Sequence, residues 1–214
     1  MARASSVFAA AAPARARRPA REAAKDALRA ACLGGDARGV ERRARALETF
    51  MLASEWATVE RTSEGVWRVA YTNAPAPSNG RLGVFSGASF QVVDATRRRY
   101  SNVLSVPPEN WLRCELRARW DVLEDDALWL ATFESVEIKV FDRFVLGKKV
   151  WGEGEVTRVW RTTYVDDDVR VVRAARTREA EAAGAARGRR AREGEDCLFV
   201  MTKETPWWEI PTGV

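Results

Sequence analysis

The sequence predicts a mainly β protein, an antiparallel barrel or sandwich of about eight strands behind two short α-helices. Three observations carry that expectation. From Val66 onward apolar residues recur with period two. Turn residues separate the runs at short intervals. The run Leu112–Val122 alternates without exception, with Leu112, Cys114, Leu116, Ala118, Trp120 and Val122 set against Arg113, Glu115, Arg117, Arg119 and Asp121. Strict alternation describes a strand with one buried and one wet face, as antiparallel sheets allow.

The elements follow in order. Residues 1–21 hold five arginines, Ser5 and Ser6, and no acid. That is the composition of an organellar transit peptide, expected to be disordered; the alternative is an Ala/Arg tail with no address. A helix is expected over Glu22–Leu33, rich in good helix formers and stopped by Gly34-Gly35. Asp36 can cap a second, running to about Ser54, with Val40, Ala44, Leu47 and Met51 forming one apolar stripe. Together residues 22–64 make an N-terminal helical segment. Trp67, Val69 and Tyr71 share one face of a first strand, and Asn73–Gly83 reads as a loop. Ser89–Asp94 and Tyr100–Val106 pair across a charged turn and end at Pro107-Pro108. After Leu112–Val122, Glu124-Asp125-Asp126 turns the chain into a strand over Leu128–Phe141. Further strands are expected near Gly154–Tyr164, Val169–Ala174 and Cys197–Lys203, so that the β domain spans 65–204. Within it, 175–195 reads as a low-complexity insertion, disordered or loosely helical. Residues 205–214 form a Trp-rich tail in which Trp207 and Trp208 either meet a lipid headgroup layer or fold back over the barrel.

Composition excludes several chemistries. With 0 histidines there is no imidazole general base, His-containing triad or imidazole metal site, and the usual axial ligand of a haem barrel is absent. Cys32, Cys114 and Cys197 are far apart, which argues against a zinc ribbon or a disulfide framework. The net charge of +5 equals that of the acid-free leader, leaving a neutral body and no footprint for nucleic acid. No run of apolar residues is long enough to span a membrane as a helix.

Four segments resemble the plastid lipid-associated proteins, also called fibrillins. Gly65-Val66-Trp67-Arg68-Val69-Ala70-Tyr71-Thr72 looks like that family's first strand motif, and Gln91-Val92-Val93-Asp94 is similar to its Q-x-I-D strand. Thr163-Tyr164-Val165-Asp166-Asp167-Asp168-Val169-Arg170-Val171, followed by Arg173, resembles the C-terminal signature T-Y-L-D-E-D-L-R-I-x-R. Cys197-Leu198-Phe199-Val200 stands where the family closes on L-F-V. The resemblance covers about residues 23–204 and departs from the family at the 175–195 insertion and the Trp-rich tail. It implies a lipocalin-like barrel in a chloroplast protein at thylakoids or plastoglobules. Such a protein is non-enzymatic and without a cofactor, and it binds or organises prenylquinones, fatty acids or carotenoids in peripheral contact with the membrane. The alternative is a structural coat or assembly factor whose barrel is filled by its own side chains.

The inward faces of the strands are apolar, which suits a prenyl or acyl chain, with a few polar groups fixing its orientation. The candidate ligand-binding residues are Asp166, Asp168, Arg170 and Arg173 with Tyr164, the strand aromatics Trp67, Tyr71 and Trp120, and Glu134. The first four serve equally in a hairpin turn where carboxylates bond backbone and arginines pair with acids. Counting by twos from Leu128 puts Glu134 on the inward face unless a bulge resets the register.

Overall fold

Alternating strands and Asp- or Gly-bearing turns fold the chain back on itself repeatedly. The computed structural model describes residues 14–108, 111–175 and 196–204. Four helices come first: α1 (Ala14–Gly34), α2 (Ala37–Glu48), α3 (Ala53–Trp56) and α4 (Val59–Thr62). The strands are β1 (Gly65–Thr72), β2 (Arg81–Leu82), β3 (Phe85–Ser86), β4 (Ala88–Asp94), β5 (Arg99–Val106), β6 (Leu112–Val122), β7 (Leu128–Val140), β8 (Phe144–Val150), β9 (Thr157–Val165), β10 (Val169–Ala175) and β11 (Asp196–Lys203).

The main sheet has nine strands in the order β6-β5-β4-β1-β11-β10-β9-β7-β8, and β6 also pairs with β7. All its pairings are antiparallel, and leaving β8 aside they run in a ring. The architecture is therefore barrel-like, one sheet curled on itself rather than a sandwich. The ring is sealed only briefly between β7 and β9, over Leu128–Thr132. The rest of β7 pairs with β8, and that hairpin stands beyond the ring.

Helices α1 and α2 lie against the outside of the wall made by β1, β9, β10 and β11. The stripe Val40, Ala44, Leu47 and Met51 is buried, as its spacing requires, and joins Leu28 of α1 in one apolar cluster with Val171, Leu198 and Val200. Asp36 occupies the N-cap position of α2, although its side chain makes no capping bond. Short α3 and α4 cover the end of the barrel formed by the 95–98, 123–127 and 166–168 turns: Glu60 bonds Trp120 Nε1 and Arg98. The opposite end carries the 73–83 loop, the Pro107-Pro108 turn and the β7–β8 hairpin.

The structure corrects several expectations. Helix α1 begins at Ala14, so residues 14–21 are helical rather than a disordered leader. The second expected helix ends at Glu48, and α3 and α4 fill the space up to β1. Part of the expected 73–83 loop is strand β2. A register shift between Val69 and Tyr71 turns Tyr71 away from the face of Trp67 and Val69. Strand β8 was not foreseen, because Phe144-Val145-Leu146-Gly147-Lys148-Lys149-Val150 lacks alternation and is exposed on nearly all its residues. Residues 1–13 of the leader, 176–195 of the insertion and the 205–214 tail with Trp207 and Trp208 lie outside the described residues.

Candidate functional site

Strand β10 sorts the signature residues by parity. Arg170 and Val172 point into the barrel, whereas Val169, Val171 and Arg173 face the helices. Arg170 is fully buried and donates to Gln91 Oε1 and, at 3.3 Å, to Thr162 Oγ1. Its guanidinium lies 4.9 Å from the centroid of the Trp129 ring. Burial pushes its pKa down to about 9, and among the described residues no carboxylate bonds it to compensate the charge.

Around Arg170 the barrel is packed with rings. Trp120 and Trp129 stack at 4.3 Å between centroids. Trp160 stacks on Phe199 at 5.3 Å, and Tyr100 lies 5.4 Å from Trp160. Trp67 is also fully buried, its Nε1 donating to Ser63 O at 2.8 Å and Lys203 Nζ lying 5.1 Å from its ring. Among the described residues, a cavity of about 70 Å³ opens into this interior on the side of the 73–83 loop. Val69, Leu104, Leu116, Phe199 and Met201 line it, with Gln91 and Asn102 as its polar groups. Gln91 Nε2 donates to Asn102 Oδ1 at 3.0 Å, so Gln91 links the cavity to Arg170.

The carboxylates are placed elsewhere. Asp166 and Asp168 sit in the β9–β10 turn beneath α1. Asp166 Oδ1 accepts from the backbone N–H of Asp168 and Val169, which fixes the turn. Its Oδ2 accepts from Lys25 Nζ at 3.0 Å and from the Tyr164 hydroxyl at 2.6 Å. Asp168 accepts from Lys25 at 2.8 Å and from Arg29 at 2.6 Å. Partial burial pushes the Asp168 carboxyl up, but the bond from Lys25, then the interactions with Asp166 and Arg29, win and hold it well below the usual carboxylate range. Lys25 is raised: desolvation opposes the charge, and bonds to Asp168, Glu22 and Asp166 outweigh it. Arg21 donates to the Tyr164 hydroxyl and to Glu55 at 2.7 Å, and stands 4.9 Å from the Tyr164 ring centre. An open, charged concavity of about 540 Å³ adjoins this cluster, lined by Arg17, Arg18, Glu22, Leu52, Thr58 and the 166–168 turn among others.

The expected site residues therefore separate into three places. Arg170, Trp67 and Trp120 are in the interior. Tyr164, Asp166, Asp168 and Arg173 fasten helices to the wall, Arg173 through Glu48 at 2.8 Å and Glu41 at 3.1 Å. Tyr71 lies half-buried on the helix side. Glu134 is the bulge residue: Arg117 pairs with Ser135 and Ala118 with Phe133, leaving Glu134 unpaired in the β6–β7 ladder. Its carboxylate stands 3.6 Å from exposed Arg99, away from the cavity.

Sequence reasoning missed the cationic partners. Arg21, Lys25 and Arg29 recur every four residues, which sets three cations on one face of α1. That spacing was legible; a leader boundary drawn through Arg21 hid it. Gln91 and Asn102 share the inward face of β4 and β5; the sequence marks Gln91 only as part of the Gln91-Val92-Val93-Asp94 resemblance and Asn102 only as a strand residue. Among the described residues no cluster of acids and cysteines could hold a metal ion. Compared with known proteins, the chain matches no family model and no curated protein.

Proposed function

We propose that this protein is a non-enzymatic, plastid lipid-associated protein that works from its outer surface on a thylakoid or plastoglobule, organising lipid rather than carrying it. One observation carries this reading: among the described residues, stacked rings and the buried Arg170 side chain occupy the barrel interior. A pocket for a drug-sized lipophile encloses at least roughly 300 Å³. The cavity of about 70 Å³ has room for only a few carbon atoms. Opening it would unstack Trp120 from Trp129, or Trp160 from Phe199, and disturb the only hydrogen bonds described for the buried Arg170 side chain.

Chemistry supports the same reading. Burial pushes the Cys32 thiol up to about 11 and raises that of Cys114, so neither is poised as a nucleophile. Asp166 and Asp168 are spent on α1. The plastid address rests on the acid-free leader and on the resemblance of the 163–173 segment. A second reading, binding of a small amphiphile, is favoured by Gln91 and Asn102 beside the apolar lining, which could orient the end of one chain.

Import of the full chain into isolated chloroplasts, followed by flotation on a density gradient, tests the reading. The protein is expected with the thylakoid and lipid-globule fractions. Recovery entirely in the soluble fraction would overturn it.

A further inference from the structure

The barrel end opposite α3 and α4 carries an apolar surface that the fold leaves uncovered. Three turns converge there. Phe85, next to Val84 in the β2–β3 turn, meets the Trp111 ring edge-on at 5.2 Å. The Trp111 carbonyl accepts from the Phe141 N–H at 2.7 Å, which ties the start of β6 to the β7–β8 turn. Val84 is 91% exposed, Phe141 63%, Phe144 65% and Leu146 68%. Large exposed apolar patches of this kind mark interaction surfaces. The hairpin that bears most of it stands outside the ring of strands, so it can enter another phase without opening the barrel.

Charge selects the occupant. Arg143, Lys148 and Lys149 flank the exposed apolar residues, with Asp142 as the only acid between Phe141 and Trp151. Lys148 Nζ also reaches Glu137 at 2.6 Å, and Lys149 lies 5.5 Å from the Trp151 ring centre. Apolar tips ringed by cations suit the boundary between headgroups and acyl chains of an anionic lipid layer. The free edge of β8 carries Lys148 and Lys149, and lysines on an edge strand discourage pairing with a second copy.

We propose that the β7–β8 hairpin, with Val84, Phe85 and Trp111 beside it, is the element that docks the protein on an anionic lipid surface. This rests on the lipid-surface reading above and names the part of the molecule responsible. Co-sedimentation of the full chain with phosphatidylcholine vesicles, with and without phosphatidylglycerol, tests it. Wild type is expected to prefer the anionic vesicles. The double variant Phe144→Asp/Leu146→Asp is expected to lose most binding while keeping its circular dichroism and melting temperature. Arg143→Glu/Lys149→Glu should weaken binding to anionic vesicles by at least about fivefold for each cation lost. Leu33→Asp, which alters an exposed leucine on α1, should bind as wild type does. If wild type binds and the hairpin variants bind equally well, the hairpin assignment is wrong and the lipid-surface reading stands. If wild type binds neither vesicle, the lipid-surface reading falls with it. A wild-type dimer that the hairpin variants convert to monomer, with vesicle binding unchanged, would assign the patch to self-association instead.

Discussion

Asp168 is gripped from two successive turns of α1, by Lys25 and Arg29, while its own backbone carbonyl accepts from Lys203. Asp166 holds more: two backbone N–H groups of the turn, Lys25 and the Tyr164 hydroxyl. Replacing Asp166 by Ala is expected to cost about 2–3 kcal/mol, since charge-assisted bonds are lost and Tyr164 is left buried without its acceptor. Asp168→Ala should lower the melting temperature by less, because that carboxylate is half exposed. Chemical denaturation of both variants checks the ranking; an Asp168→Ala protein as stable as wild type would return the residue to the ligand-contact role. Arg170 offers a different contrast. Arg170→Ala is expected to cost about 3 kcal/mol through an unfilled volume and an orphaned Gln91. Arg170→Met should recover most of that loss, because an apolar side chain of similar size replaces a buried charge without a counter-ion.

At the level of elements, α1 is fastened by ion pairs, and their titration sets the pH range over which it stays docked. The depressed Asp168 carboxyl contributes stability that is complete above its unfolded value of about 3.9 and disappears as pH falls through the lower folded value. Lys25, raised in the fold, contributes fully below about 10.4 and loses its contribution as pH climbs through the higher folded value. The contribution of these two groups to the melting temperature is therefore expected to be flat between about pH 5 and 9, and to be lost in acid below about pH 4 and in base above about pH 10. Asp168→Asn should shrink the acid limb selectively. The same contacts bear on processing. On the plastid reading proposed above, removal of a leader after Arg21 would strip the bonds to Tyr164 and Glu55, so N-terminal sequencing after chloroplast import is expected to place the cut before Arg21. Strands were the legible elements, since Leu112–Val122 is wet on one side and buried on the other. Strand β8 and helices α3 and α4 were not: the former has no buried face, and the latter are too short to show a period. The bulges at Ala70 and Glu134 differ: counting by twos flags Glu134 without saying how the backbone resolves it, but gives no sign of the extra residue that turns Tyr71 outward.

Over the whole molecule, the barrel-like ring follows from the number of antiparallel strands and the return of β11 between β1 and β10. The state of its interior does not. Alternation says which side chains point inward, but not whether Tyr100, Trp120, Trp129, Trp160 and Phe199 leave a space or close it. That depends on how the rings meet across the barrel; here Trp120 stacks on Trp129 and Trp160 on Phe199, with Tyr100 tilted against Trp160. Of the nine candidate ligand residues three, Arg170, Trp67 and Trp120, are interior, and they fill space a ligand would occupy. Trp120→Ala is expected to cost about 3–5 kcal/mol and to open the interior to small apolar molecules. Native mass spectrometry of the purified full chain, paired with solvent extraction and lipid analysis of the same sample, probes the filled barrel most directly. The expected result is the bare mass of the polypeptide with no lipid in stoichiometric amount. One prenyl or acyl lipid retained per chain would contradict a self-filled barrel.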